Sequence, residues 1–150
     1  IHWAKFDALQ AVIDAAEGPL VICYEFAFEL EELKARWPSI VVLGEDTVAA
    51  EMAWTLGNVS LLAVHPKSAS HGLNLQYGGH ELVVLTPPWG ADPWEQLVGR
   101  LRRRGQASPY VRRTTLVVPG TIDELVMDRL LTKAADENSL MNHITGVAQK

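Results

Sequence analysis

Apolar positions along the chain follow two alternating rhythms. Residues 4–16 place Phe6, Leu9, Ile13 and Ala16 at helical spacing, and Gly18-Pro19 breaks the run. Residues 20–24 (LVICY) form a short continuous apolar stretch, the pattern of a strand buried on both faces. A second helix follows, with Phe26, Leu30, Leu33 and Trp37 on one side and glutamates on the other, and Pro38 stops it. Residues 40–43 predict a strand, 46–56 a helix ended by Gly57, 60–64 a third strand and 82–86 a fourth. A strongly amphipathic helix then opens on Asp92 as N-cap, with Pro93 at its first position and Glu95 three residues after the cap. Gly105 is placed to end it. Residues 114–118 predict a fifth strand. Thr121 and Glu124 form a capping box for a helix reaching about residue 135, before a last amphipathic segment with Leu140, Met141, Ile144 and Val147. Strands alternating with helices predict an α/β domain, a parallel sheet covered by helices on both faces, with sites at the carboxyl ends of the strands.

Composition adds boundaries. The 150 residues suffice for one domain with its own core. Hydrophobic content of 48 % and charged content of 21 % are those of a globular protein. No apolar run approaches the ~20 residues that span a bilayer, and the amino terminus lacks a signal-peptide pattern. Cys23 is the single cysteine, so no intrachain disulfide or thiolate metal site exists, and a reducing, cytoplasmic setting is implied. The net charge is −5, yet six of the 13 lysines and arginines lie between Arg100 and Arg113. An acidic chain with one basic patch suits a local phosphate site better than a long nucleic-acid groove.

That patch sits on the amphipathic helix. At ~100° per residue, Trp94, Leu97, Val98 and Leu101 share an apolar face, while Gln96, Arg100 and Arg103 fall within about 60° on the opposite one. A guanidinium is permanently charged and its fork matches phosphate oxygens. Two of them one turn apart are therefore suited to the phosphates of a nucleotide. Arg102 and Arg104 flank the apolar face and are read as solvated. Upstream, residues 65–79 (HPKSASHGLNLQYGG) follow a buried strand with small, polar and glycine residues, a loop able to turn main-chain N–H groups toward an anion.

The spacing Q-x-x-G-R-x-x-R (Gln96 to Arg103) resembles the sixth motif of superfamily-two helicases, and Gly105-Gln106 narrows the likeness to the Swi/Snf-type DNA translocases. GLNLQ (Gly72 to Gln76) resembles their fifth motif, residues 20–26 and the following helix their fourth, and WGADPWEQ (Trp89 to Gln96) the approach to the sixth. GTIDE (Gly120 to Glu124) is similar to the helix start that follows it. Ala69 and Ser70 stand where many members have consecutive glycines. HPKSASHGLNLQ is most similar to the compact bacteriophage and prophage members.

The resemblance implies a RecA-like three-layer fold, the whole of residues 1–150 being the helicase C-terminal lobe. It implies ATP and Mg²⁺ as cofactors, bound mainly by an N-terminal lobe that would precede Ile1. It also implies DNA and that lobe as partners, no membrane, and a bacterial or phage-infected cytoplasm. Arg100 and Arg103 would be catalytic arginine fingers, with Gln96, Gly72 and Asn74 at ATP and Lys67, Ser68, Ser70 and His71 at DNA. No G-x-x-x-x-G-K-[ST] is present, because none of Lys5, Lys34, Lys67, Lys133 and Lys150 follows a glycine. The chain alone is thus expected to be inactive. Asp123-Glu124 is read as part of the capping box rather than a magnesium pair. His65, His71 and His80 lack a cysteine or carboxylate at ligand spacing, so no metal site is expected. A reading from another class is a stand-alone RecA-like adaptor that binds DNA or protein and hydrolyses nothing.

Overall fold

A computed structural model of the protein describes residues 3–88 and 91–148, with side chains throughout them except at 69–71, 91, 94 and 136–148. The element order is α1 (Ala4–Ala15), β1 (Leu20–Cys23), α2 (Ala27–Arg36), β2 (Val41–Leu43), α3 (Thr47–Thr55) and β3 (Leu61–Val64). A 3-10 turn (Pro66–His71) leads to β4 (Glu81–Val84), α4 (Ala91–Leu101), β5 (Arg112–Thr115) and α5 (Ile122–Ala148). The five strands pair in the order β2-β3-β1-β4-β5, every neighbouring pair parallel.

Strand alternation divides the interior into two cores. Leu20, Ile22, Leu61, Ala63, Val83 and Leu85 face one side, where α1 and α2 bring Phe6, Leu9 and Leu33. Val21, Cys23, Leu62, Val64, Leu82 and Val84 face the other, covered by Trp54 of α3 and by Leu97, Val98 and Leu101 of α4. The three central strands are buried at every position, as continuous apolar runs require. No helix among the described residues is long and apolar enough to cross a membrane.

Four boundaries differ from the sequence expectation. Strand β4 starts at Glu81, a charged residue that hydrophobic patterning passes over, because Arg112 of β5 lies opposite it in register. That pairing also pulls β5 to residues 112–115, ahead of the apolar Leu116–Val118 expected to form it. Helix α4 begins at Ala91, so Asp92 lies in its first turn rather than at the cap, and it ends at Leu101. Finally, α5 is one continuous helix. Its polar stretch 136–139 contains neither glycine nor proline, and polarity alone does not break a helix.

Candidate functional site

Helix α3 builds the glycine-bearing loop. Trp54, fully buried, donates from Nε1 to the Leu75 carbonyl at 2.8 Å, and Glu51 accepts the Asn74 N–H at 3.0 Å. Loop and helix approach so closely that a Cβ at Gly78 would stand 2.3 Å from Trp54 Nε1. Leu73 and Leu75 turn into the core, leaving Asn74 exposed between them. Gly72 has φ +73°, a left-handed conformation that ends the 3-10 turn and that other residues adopt only with strain. His65 starts the turn, its Nδ1 accepting from the Lys67 N–H at 3.2 Å while Nε2 faces the Glu25 carbonyl at 3.2 Å. With Nδ1 accepting, Nε2 is the nitrogen placed to donate to the Glu25 carbonyl.

The arginine element packs against that 3-10 turn. Leu97, Val98 and Leu101 are buried as expected, Gln96 is exposed and Arg100 half-buried. Arg103 does not lie on the helix, which has ended two residues earlier. The Arg102 N–H still bonds the Val98 carbonyl at 2.9 Å, after which the chain turns. Gln106 makes the turn, donating to the Leu101 carbonyl at 3.1 Å and the Gly79 carbonyl at 2.9 Å. Gly105, at φ +100°, has a conformation that other residues adopt only with strain, and an added Cβ would crowd the exposed Tyr77 ring at 2.7 Å. Gly105-Gln106 is thus the clasp between loop and arginine segment.

Its result is the contact that matters most. The Arg103 guanidinium reaches Asn74 Oδ1 at 3.4 Å, both side chains exposed. Arg102 and Arg103, expected on different sides of one helix, instead line a single cleft with Ser108 and Tyr110. Nearby Arg113 has a pKa below the ordinary arginine value because part of it is desolvated; Glu95 opposes that shift and the Arg102 charge adds to it. Of the residues assigned to DNA, Lys67 is exposed and Ser68 half-buried in the 3-10 turn. The side chains of Ser70 and His71, and of Trp94, lie outside the described residues, as do Trp89 and Gly90 entirely.

A second polar centre escaped the sequence reading. At the carboxyl ends of β1 and β4, where successive connections diverge to opposite sides, lies a cavity of about 170 Å³ whose lining includes Phe26, Phe28 and Pro87. Its charged lining is Lys5, Glu29 and Asp123, all buried. Lys5 Nζ lies 2.6 Å from Asp123 and donates to Thr86 Oγ1 at 3.0 Å, and Thr86 in turn donates to Glu29. Glu29 also accepts the N–H groups of Glu25 at 2.8 Å and Phe26 at 3.1 Å. Each group serves another, so the network ties α1, α2, β4 and α5 together. Asp123, read as one half of a cap, belongs to this ion pair; Glu124 does reach back, accepting the Gly120 N–H at 3.0 Å. The only advance signal was its types, a lysine and two acids set within apolar helices.

Cys23 is buried, and its thiol pKa is pushed far up, first by desolvation and then by Glu25 and Glu29. Alkylation of the native thiol is expected to be at least ~100-fold slower than that of a free cysteine and to track unfolding. The raised value also fixes a sign. Stability from the neutral buried thiol is complete below the unfolded pKa near 8.5 and declines by about 1.4 kcal/mol per pH unit above it. Urea melts of Cys23→Ala against the parent at pH 7 and 10 measure that slope.

No protein-family model matches the chain. The C-terminal part of the Fun30 ATPase domain aligns with a TM-score of 0.67 at 20 % identity, covering 84 % of this chain and 44 % of that one. The fold is RecA-like. Putative protein p41 of Acyrthosiphon pisum secondary endosymbiont phage 1 is 32 % identical over 149 residues, covering 94 % of this chain. The RecA-like unit spans 32 % of the length of that phage relative.

Proposed function

We propose that the chain is the C-terminal RecA-like lobe of an ATP-dependent DNA translocase of the Swi/Snf type. ATP and Mg²⁺ would be held mainly by a second lobe carrying the P-loop. The carrying observation is the Arg103–Asn74 contact, which joins the arginine segment to the glycine loop on one exposed surface. Arg103 and Arg100 act on the nucleotide phosphates, where permanent forked charge offsets what develops during phosphoryl transfer. Gln96 helps close the cleft, with Gly72 and Asn74 beside the nucleotide. Lys67, Ser68, Ser70 and His71 on the 3-10 turn meet the DNA backbone, and the loop between them couples the two ligands. The fold shared with part of an ATPase domain and the identity to a phage protein support this reading.

The test compares this chain with the intact two-lobe protein. The isolated lobe is expected to show no DNA-stimulated ATPase, and to bind duplex or single strands weakly, without sequence preference and with marked salt dependence. The intact protein is expected to hydrolyse ATP when DNA is added. Robust hydrolysis by the homogeneous lobe would overturn the division of labour. Tight, sequence-selective binding in physiological salt, with no ATPase in the intact protein, would establish the adaptor instead.

A further inference from the structure

The amino-terminal edge of the sheet carries a cluster for which the nucleotide reading has no use. Glu17 lies in the α1–β1 connection, and His80 and Glu81 sit at the start of β4, the strand beside β1. One ligand atom from each of Glu17, His80 and Glu81 lies within 4.8 Å of the other two. His80 Nε2 is buried and has no hydrogen-bond partner among the described residues. Buried polar atoms are almost always paired, so this imidazole nitrogen marks a place for something that accepts its lone pair or proton.

The carboxylates nearby are held but not saturated. Glu81 is 4 % exposed and accepts the Glu17 N–H at 3.1 Å, which fixes its orientation. Arg112 stands 3.6 Å from Glu81 and 4.0 Å from Glu17, beyond the ~2.7–2.9 Å of a strong charged hydrogen bond. The Tyr110 hydroxyl reaches Glu17 only at 3.5 Å.

We propose that Glu17, His80 and Glu81 form a site for a divalent transition-metal ion. One imidazole with two carboxylates suits Zn²⁺, Mn²⁺, Fe²⁺ or Co²⁺, whereas Mg²⁺ and Ca²⁺ favour oxygen ligands throughout. Two carboxylates and Arg112 leave one negative charge, which a dication bound through the His80 lone pair more than balances. In the same position the Arg112 guanidinium lies 5.7 Å from the Tyr110 ring centroid, so it does not depend on the two carboxylates alone. Glu17 is exposed, so remaining coordination positions open to water. The ion would clamp the α1–β1 connection to the start of β4, where the glycine loop runs into that strand, a structural site distinct from nucleotide-bound Mg²⁺.

The test titrates the chelator-stripped full chain with Zn²⁺ by calorimetry and with Co²⁺ by visible absorption, which reports coordination geometry. Saturable uptake of one ion is expected. His80→Ala and Glu17→Gln should each weaken it ~10-fold or more, and Arg112→Gln, which removes a competing cation, should tighten it. Glu17→Gln changes an exposed side chain, so the test stands even if His80→Ala fails to fold. Absence of saturable uptake, or uptake indifferent to Glu17→Gln, would overturn the proposal.

Discussion

Arg103→Ala in the complete two-lobe protein is expected to reduce kcat by roughly 10³-fold or more while leaving ATP affinity nearly intact. An arginine finger meets charge that grows in the transition state, so its loss raises the barrier without weakening ground-state binding. Lysine should rescue poorly, because a point charge cannot reproduce the planar fork. Arg100→Ala should also impair turnover, with some loss of nucleotide binding if it touches the ground state. Arg102 is the control, and the structure changes its basis. Helical geometry would have set Arg102 aside, but both arginines lie beyond Leu101 and line one cleft. What separates the two is the hydrogen bond of Arg103 to Asn74. Arg102→Ala should therefore stay within ~10-fold of the parent, and Asn74→Ala should reproduce part of the Arg103 defect. Steady-state ATPase with folding checked by thermal melts measures all five. Equal, mild effects of Arg102→Ala and Arg103→Ala would mean that the segment is a solvated basic surface.

The same segment shows what a sequence does and does not carry. Apolar runs such as 20–24 and 61–64 announced buried strands because a sheet covered on both faces buries successive positions of its central strands. The apolar stripe of Leu97, Val98 and Leu101 was equally legible. The end of α4 was not, because Gly105 looked like the stop. The actual stop is a side chain, Gln106, reaching back to the Leu101 carbonyl and across to Gly79. Long-range contacts of that kind leave no local pattern. Glu81 and Arg112 show the same limit: each looks like a surface charge until strand register sets them opposite one another. The glycine pair at 78–79 was read as backbone freedom, whereas Gly78 is required by the Trp54 ring against it.

The buried charge centre gives the largest expected effect on stability. Asp123→Ala should cost about 3–5 kcal/mol, because it strands the Lys5 ammonium without its counter-ion. The two side chains are only 9 % and 7 % exposed, so the pair at 2.6 Å is largely desolvated. The Val118 N–H, which donates to the same carboxylate at 3.3 Å, is left without that acceptor too. At ~2–4 °C per kcal/mol for a chain of this size, the melting temperature should fall by roughly 6–20 °C. Lys5→Met alone should also destabilise, since Asp123 and Thr86 both lose their cation. The double variant Lys5→Met with Asp123→Leu should recover most of the loss, because well-packed apolar groups replace a buried ion pair at little net cost. The coupling measured by the cycle of Lys5→Met, Asp123→Leu and their double variant, in urea melts on the folded chain, separates a stranded charge from a mere cavity. Were Asp123→Ala to cost under ~1 kcal/mol, Lys5 would be reaching solvent, and the pair would be worth no more than a surface salt bridge.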